Sequence, residues 1–243
     1  MPPLPTNVKL YQHLDQHVRH GRATLIQQVG GRQRQEDAAL LGNHLWAVAD
    51  GMGGHPSGDQ AARDALATLA GQLPAPASAQ QLSAATAAAD QAVRALATGT
   101  VRNPGTTLVA AGLDPDQARI HGVWCGDSRA YLLRPDASLI ALTADHANLF
   151  GGLEHSLGDH FSEPHYHETF SCELAAGHQL LLTTDGLTGP YGDQHELLET
   201  HLAAHVTDAV NYAQTHGTDN ITALLIDLGT WADSGAVGSH PSG

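Results

Sequence analysis

Apolar residues along the chain follow two spacings, and the switches between them divide it into blocks. Ala23–Val29, Ala38–Leu41 and His44–Ala49 are short runs rich in Leu, Ile and Val, bounded by Gly, Asn or Asp. They predict strands, and Gly42-Asn43 suits a two-residue hairpin turn. Asp59–Leu73 then sets Ala62, Ala65, Leu66 and Leu69 at helical spacing and stops at Leu73-Pro74-Ala75-Pro76. Ser78–Ala97 carries Leu82, Ala85, Ala89, Val93 and Leu96 on one stripe, which predicts a second helix. Strand-like runs return at Thr106–Leu113, Gln117–Cys125, Ala130–Arg134 and Ser138–Leu142, separated by Asp, Pro and Gly turns. Asp145–Pro164 is irregular. Glu168–Leu174 and Gln179–Thr184 predict further strands, Gln194–His205 and Asp208–His216 two helices, and Ile221–Leu228 a last strand.

Strands, a helix pair, strands, a helix pair and a strand do not make the alternation of a parallel βαβ fold. Two antiparallel sheets packed face to face, with helices outside each, would bury every stripe. The expected fold is therefore α+β, a four-layer α/β/β/α sandwich in one domain over residues 22–229. A flexible lead-in over 1–21 is expected before it, and a disordered small, polar tail over 230–243 after it.

With 243 residues, 42% of them hydrophobic, the chain has ample material for such a core. Its net charge of −14, with only 11 Lys and Arg, makes nucleic acid and anionic membranes poor partners. It lacks both a run near the roughly 20 apolar residues of a membrane span and an apolar signal core, so a cytoplasmic protein is expected. Cys125 and Cys172 sit in strand-like runs and read as buried, reduced thiols. The 17 histidines are scattered. His13, His17 and His20 share a face of a possible short helix, best read as a solvated polar face, and His165-x-His167 would suit a metal only if that loop were a strand.

What the acidic residues do changes the picture most. Five stations lie at or beside strand ends: Arg32-x-x-Gln35-Glu36-Asp37, Asp50-Gly51-Met52-Gly53-Gly54-His55, Gly126-Asp127-Ser128-Arg129, Thr184-Asp185-Gly186 and Asp219-Asn220-Ile221-Thr222. Each alone is turn or cap chemistry. Together, carboxylates presented by strand ends form an all-oxygen donor set suited to Mg²⁺ or Mn²⁺, and two such ions in one pocket make a phosphate-cleaving site.

These stations, with Gly105-Thr106-Thr107 and Leu142-Thr143-Ala144-Asp145-His146 between them, resemble in order the motif series of the metal-dependent protein phosphatases, the protein phosphatase 2C (PPM) family in its bacterial form. The resemblance runs from about Thr24 to Leu228 and implies the same sandwich. It implies two Mn²⁺ or Mg²⁺ ions, bridged by Asp50, with the Gly51 carbonyl on one ion and Asp185 and Asp219 on the other. Glu36 and Asp37 would orient metal-bound waters, Asp127 with Asp185 would recruit a third, looser ion, and Arg32 would grip the substrate phosphate. The implied partner is a phosphoserine or phosphothreonine protein, a bacterial kinase or its target, and the implied state a monomer. Short members of the family resemble those found beside type VI secretion kinases.

Two departures stand out. Met52 replaces the His of eukaryotic relatives, and Gln35 the usual Asn. Only Ala147–Ser156 separates Asp145-His146 from Leu157-Gly158, so the mobile flap of the family is expected to be shortened or missing and the cleft open. Alternatives are a non-catalytic phosphoprotein-binding module with the same fold, or a phosphatase of a small phosphorylated metabolite. A metal nuclease is disfavoured by the scarcity of Lys and Arg.

Overall fold

A computed structural model describes residues 4–12, 14, 17–52, 57–73, 78–97, 103–114, 116–148, 152–159 and 165–229. In chain order its strands are β1 (Val8–Tyr11), β2 (Val18–His20), β3 (Ala23–Gln28), β4 (Ala38–Gly42), β5 (Leu45–Ala49), β6 (Gly51–Met52), β7 (Gly105–Thr106), β8 (Leu108–Asp114), β9 (Arg119–Cys125), β10 (Arg129–Leu133), β11 (Leu139–Ala141), β12 (Glu168–Glu173), β13 (Gln179–Thr183) and β14 (Ile221–Asp227). The α-helices are α1 (Gly58–Gln72), α2 (Ala79–Arg94), α3 (Asp185–Thr188), α4 (His195–Ala204) and α5 (Val206–His216). One sheet runs β1-β4-β5-β8-β9-β12, the other β11-β10-β13-β14-β3-β2, both antiparallel throughout, and β6 pairs with β7 alone.

Three apolar layers account for the expected sandwich. Leu66 and Leu69 of α1 and Leu82 and Val93 of α2 pack on Leu40, Ala47 and Leu108 of the first sheet. Trp46, Val48, Ile120, Leu25, Leu182 and Leu224 fill the space between the sheets. Ile26, Leu181, Leu198, Val206 and Val210 join the second sheet to α4 and α5. All five residues of β5 are buried. Successive side chains point to opposite faces, and both faces of this strand are covered, so its sequence is continuously apolar rather than alternating. The second helix starts on a capping box: Gln81 N donates to Ser78 Oγ (3.3 Å) and Ser78 N donates to Gln81 Oε1 (2.9 Å). Both cysteines are buried and unpaired, as expected, with their thiols pushed up by burial to about 12 for Cys125 and about 11 for Cys172.

The lead-in expectation needs correction. Val8–Tyr11 pairs with β4 at the edge of one sheet, and Val18–His20 pairs with β3 at the edge of the other. Both segments are short and interrupted by polar residues, which hides them as strands. Their hydrogen bonds are satisfied by neighbours that carry the apolar signal. The polar tail over 230–243 and His13 of the proposed histidine face lie outside the described residues. His17 precedes β2 and His20 ends it, so neither lies in the helix considered for those histidines.

Candidate metal centre

Four carboxylates reach one end of the sandwich from the ends of neighbouring strands. Asp37 precedes β4, Asp50 follows β5, Asp185 follows β13 and opens α3, and Asp219 lies just before β14. Burial drives the Asp37 carboxyl up to about 7, with Asp185 and Asp219 adding like charge. Burial, followed by Asp37, Asp185 and Asp219, holds Asp50 well above the ordinary range. Asp185 is raised by burial and then by Asp219, and it shares a side-chain hydrogen bond with Asp50. Carboxyls that repel each other's ionisation stand close together.

The rim extends the group. Arg32 Nη2 donates to Asp219 Oδ2 at 2.6 Å, with the arginine side chain 53% exposed. Glu36 is raised by burial and next by Asp59. Asp127, in the turn between β9 and β10, is lifted to about 6 by burial and by Asp185. Gly51 is clamped between two backbones: a Cβ there would lie 2.1 Å from the Gly58 carbonyl oxygen and 2.7 Å from that of Glu36. Every residue read as a ligand or phosphate contact thus falls at this end of the fold.

The residues fit a divalent cation on two grounds. The donor atoms are hard oxygens, the chemistry Mg²⁺ and Mn²⁺ prefer. Asp37 Oδ1 and Asp185 Oδ1 are also buried without a hydrogen-bond partner. Unpartnered buried acceptors are costly, and a cation or its hydration shell would satisfy them. As the side chains stand, no three Asp, Glu, His or Cys residues among those described converge as a closed ligand set. Arg32 draws Asp219 towards the rim, while Asp50 and Asp185 bond to each other.

Sequence reasoning missed the residues that hold the acids in place. Asp37 Oδ2 accepts from Thr184 Oγ1 (2.9 Å) and Thr222 Oγ1 (2.6 Å). Asn220, 4% exposed, accepts from Glu36 N (2.8 Å) and donates to the carbonyls of Val29 (2.9 Å) and Arg34 (2.8 Å), stapling the Arg32 loop to the last strand. Thr107 brackets Asp50: its N donates to Asp50 O (2.9 Å) and its Oγ1 accepts from Asp50 N (3.0 Å). Thr184, Asn220, Thr222 and Thr107 all stand in the motif series, but nothing in their spacing gives them these partners. The His165-x-His167 pair is not a chelate. His165 has φ 64° and its Nδ1 lies 3.0 Å from Asp90, while His167 Nδ1 lies 2.8 Å from the His165 carbonyl oxygen. No helix occurs among the described residues between β11 and β12.

Comparison with known proteins agrees with this arrangement. The family model described as protein phosphatase 2C matches residues 31–225. Serine/threonine protein phosphatase PstP of Mycobacterium tuberculosis is 30% identical over 231 residues, covering 81% of this chain and 43% of PstP, so the chain spans less than half of that relative's length. The serine/threonine phosphatase stp of Listeria innocua is 31% identical over 214 residues, covering 74% of this chain and 82% of stp. A solved structure of the PstP catalytic domain in complex with two manganese ions superposes with a TM-score of 0.70 at 30% identity, over 85% of this chain and 97% of that one. PppA, described as a key regulatory component of the type VI secretion system in Pseudomonas aeruginosa, superposes with a TM-score of 0.73 at 30% identity, over 87% of this chain and 99% of that one. The ordered motifs, the two-sheet sandwich and the matched family model together place this chain in the protein phosphatase 2C family.

Proposed function

We propose that the chain hydrolyses phosphoserine and phosphothreonine in proteins, at a centre that takes up two Mn²⁺ or Mg²⁺ ions, and that it opposes a bacterial Ser/Thr kinase. The observation that carries this reading is the convergence of Asp37, Asp50, Asp185 and Asp219, from four strand ends, into one electrostatically coupled group. Asp50 would bridge the ions, the Gly51 carbonyl would hold one, and Asp185 and Asp219 the other. Asp127 with Asp185 would serve a third. The ions supply positive charge that neutralises a phosphate dianion and acidifies an attacking water.

The chain's own residues do the rest. Asp37, fixed through Oδ2 by two threonine hydroxyls, keeps Oδ1 as an unpartnered acceptor that would orient water, and Glu36 would do the same from the rim. Arg32, tethered through Nη2, presents a planar guanidinium at the mouth, a shape that fits two phosphoryl oxygens as a lysine could not. The residues between β11 and β12 form no helical cover among those described, so selection of the phosphoprotein would rest on another surface. None of the described helices is long and apolar enough to cross a membrane. The working assignment is a cytoplasmic monomer whose domain spans residues 22–229 together with the two N-terminal edge strands. The likeness to PppA supports looking for the partner kinase near a type VI secretion system.

The test is Mn²⁺ calorimetry and p-nitrophenyl phosphate turnover for Asp50→Asn, Asp185→Asn and Asp219→Asn. Each substitution removes a carboxylate charge that would hold an ion and should abolish turnover. A near-normal rate in Asp50→Asn refutes the assignment. Comparing kcat/KM on phosphopeptides and on small phosphorylated metabolites decides the substrate class.

A further inference from the structure

Asp90 lies on the Ala-rich helix α2 four residues before Arg94, a spacing that normally marks a solvated ion pair. Here it is buried, with a side chain only 2% exposed. Its carboxylate accepts from Arg94 Nε (2.8 Å), Gly158 N (2.8 Å) and His165 N (3.1 Å), and His165 Nδ1 stands 3.0 Å away. Burial pushes this carboxyl up, but Arg94 and the two amides pull it further down, leaving it below its ordinary value. A buried charge is tolerated when donors surround it this way.

What the carboxylate grips leads back to the metal centre. Gly158 has φ +83°, and a Cβ there would lie 2.3 Å from Val93 Cγ1 and 2.8 Å from the Pro104 carbonyl oxygen, so the segment lies flush against α2 and the chain entering β7. The preceding residue, Leu157, exchanges two backbone hydrogen bonds with Thr106: Thr106 N to Leu157 O (3.0 Å) and Leu157 N to Thr106 O (2.8 Å). Thr106 pairs with Gly51 in the two-residue ladder, and its Oγ1 donates to the Asp50 carbonyl (2.9 Å). Thr107 N donates to that same carbonyl at 2.9 Å. Hydrogen bonds at either end of the covalently linked Leu157-Gly158 pair therefore join the Asp90 carboxylate to the backbone of Asp50.

We propose that Asp90 is a positioning residue for the metal centre: by fastening Leu157-Gly158 and His165 to α2, it holds Thr106 and Thr107 where they fix the Asp50–Gly51 backbone. This rests on the reading of Asp50 and Gly51 as metal ligands. A connection with no helix among its described residues needs an external anchor, and the Asp90 carboxylate supplies one from the helix layer.

Asp90→Asn keeps the shape but turns an NH₂ towards the donors of Arg94 and His165. The metal-free variant should exchange the Thr106, Thr107 and Leu157 amides faster in D₂O. Its Mn²⁺ affinity by calorimetry should fall about tenfold, the low end for partners outside a ligand shell. KM for p-nitrophenyl phosphate at saturating Mn²⁺ should stay within about twofold, because Arg32 is untouched. A lower melting temperature with unchanged Mn²⁺ affinity and unchanged amide exchange would make Asp90 merely structural and overturn the proposal. If Asp90→Asn does not fold, His165→Ala carries the test: it removes one contact from the exposed side and should shift exchange and affinity the same way by less, and no shift in either overturns the proposal. Wild-type protein that neither binds Mn²⁺ nor cleaves phosphate esters would sink the phosphatase reading as well, whereas a normal wild type beside unaltered variants sinks the Asp90 proposal alone.

Discussion

Replacing Asn220 with alanine tests whether the loop that carries Arg32 is held from the last strand. The side chain accepts one hydrogen bond, from Glu36 N, and donates two, to the Val29 and Arg34 carbonyls. At roughly 1 kcal/mol each, their loss costs about 3 kcal/mol of stability. For a chain of this size each kcal/mol shifts the melting temperature by roughly 2–4 °C, so a fall of roughly 6–12 °C is expected by calorimetry. The freed backbone carries Arg32 and Glu36, so kcat/KM for p-nitrophenyl phosphate should fall by roughly 10–100-fold even below the melting transition. Asn220→Asp is the sharper control. It keeps the acceptor for Glu36 N but sets a carboxylate oxygen against two carbonyls and adds charge beside Asp219, so it should be at least as damaging as alanine. If Asn220→Ala melts within a degree or so of wild type and retains kcat/KM within about twofold, the staple has no energetic role and the argument from geometry fails.

Gly51→Ala should drive the Gly58 and Glu36 carbonyls away from the new Cβ, cost about 1–3 kcal/mol and weaken Mn²⁺ binding, which unfolding and calorimetric titrations would detect together. Arg32→Ala should mainly raise KM for phosphate esters and leave the melting temperature nearly unchanged, since its ion pair with Asp219 is largely solvent-exposed. The pH dependence of the metal-free protein should be inverted relative to ordinary acid denaturation in this window. Asp37 titrates near 7 and Asp127 near 6 when folded, both above their unfolded values, so the folded state binds more protons than the unfolded one between about pH 4 and 7. Stability is full below that window and declines as pH rises through it. Melting curves in chelator across this range check the sign, and saturating Mn²⁺ should reverse the trend by holding the carboxylates ionised.

The architecture and the main acids were legible because they are local. An apolar strand running into Asp-Gly, directly after Leu45–Ala49 and two threonines after Leu180–Leu182, shows a buried strand delivering a carboxylate wherever it folds. The supports were not legible because they are distant. Thr184 and Thr222 reach Asp37 across 147 and 185 positions of sequence, and a threonine in or beside a strand carries no mark of the carboxylate it will meet. Asp90 misleads for a different reason. Its spacing to Arg94 matches a surface pair, and only the contacts of Gly158 and His165 with its carboxylate reveal it as buried. The first two strands were obscured by their shortness: four and three residues with Lys9 and Arg19 among them bury too little to stand out.

Those two strands matter beyond the boundary they correct. One, of four residues, seals the outer margin of β4 and the other, of three, that of β3, so two short stretches of chain act as selvedge for both layers at once. Trimming a recombinant version to begin at Arg22 would strip both margins together and leave two open rows of amides and carbonyls, the templates on which β-rich proteins stick to one another. Such a shortened product should precipitate or swap segments between molecules, although every acid of its centre would still be present.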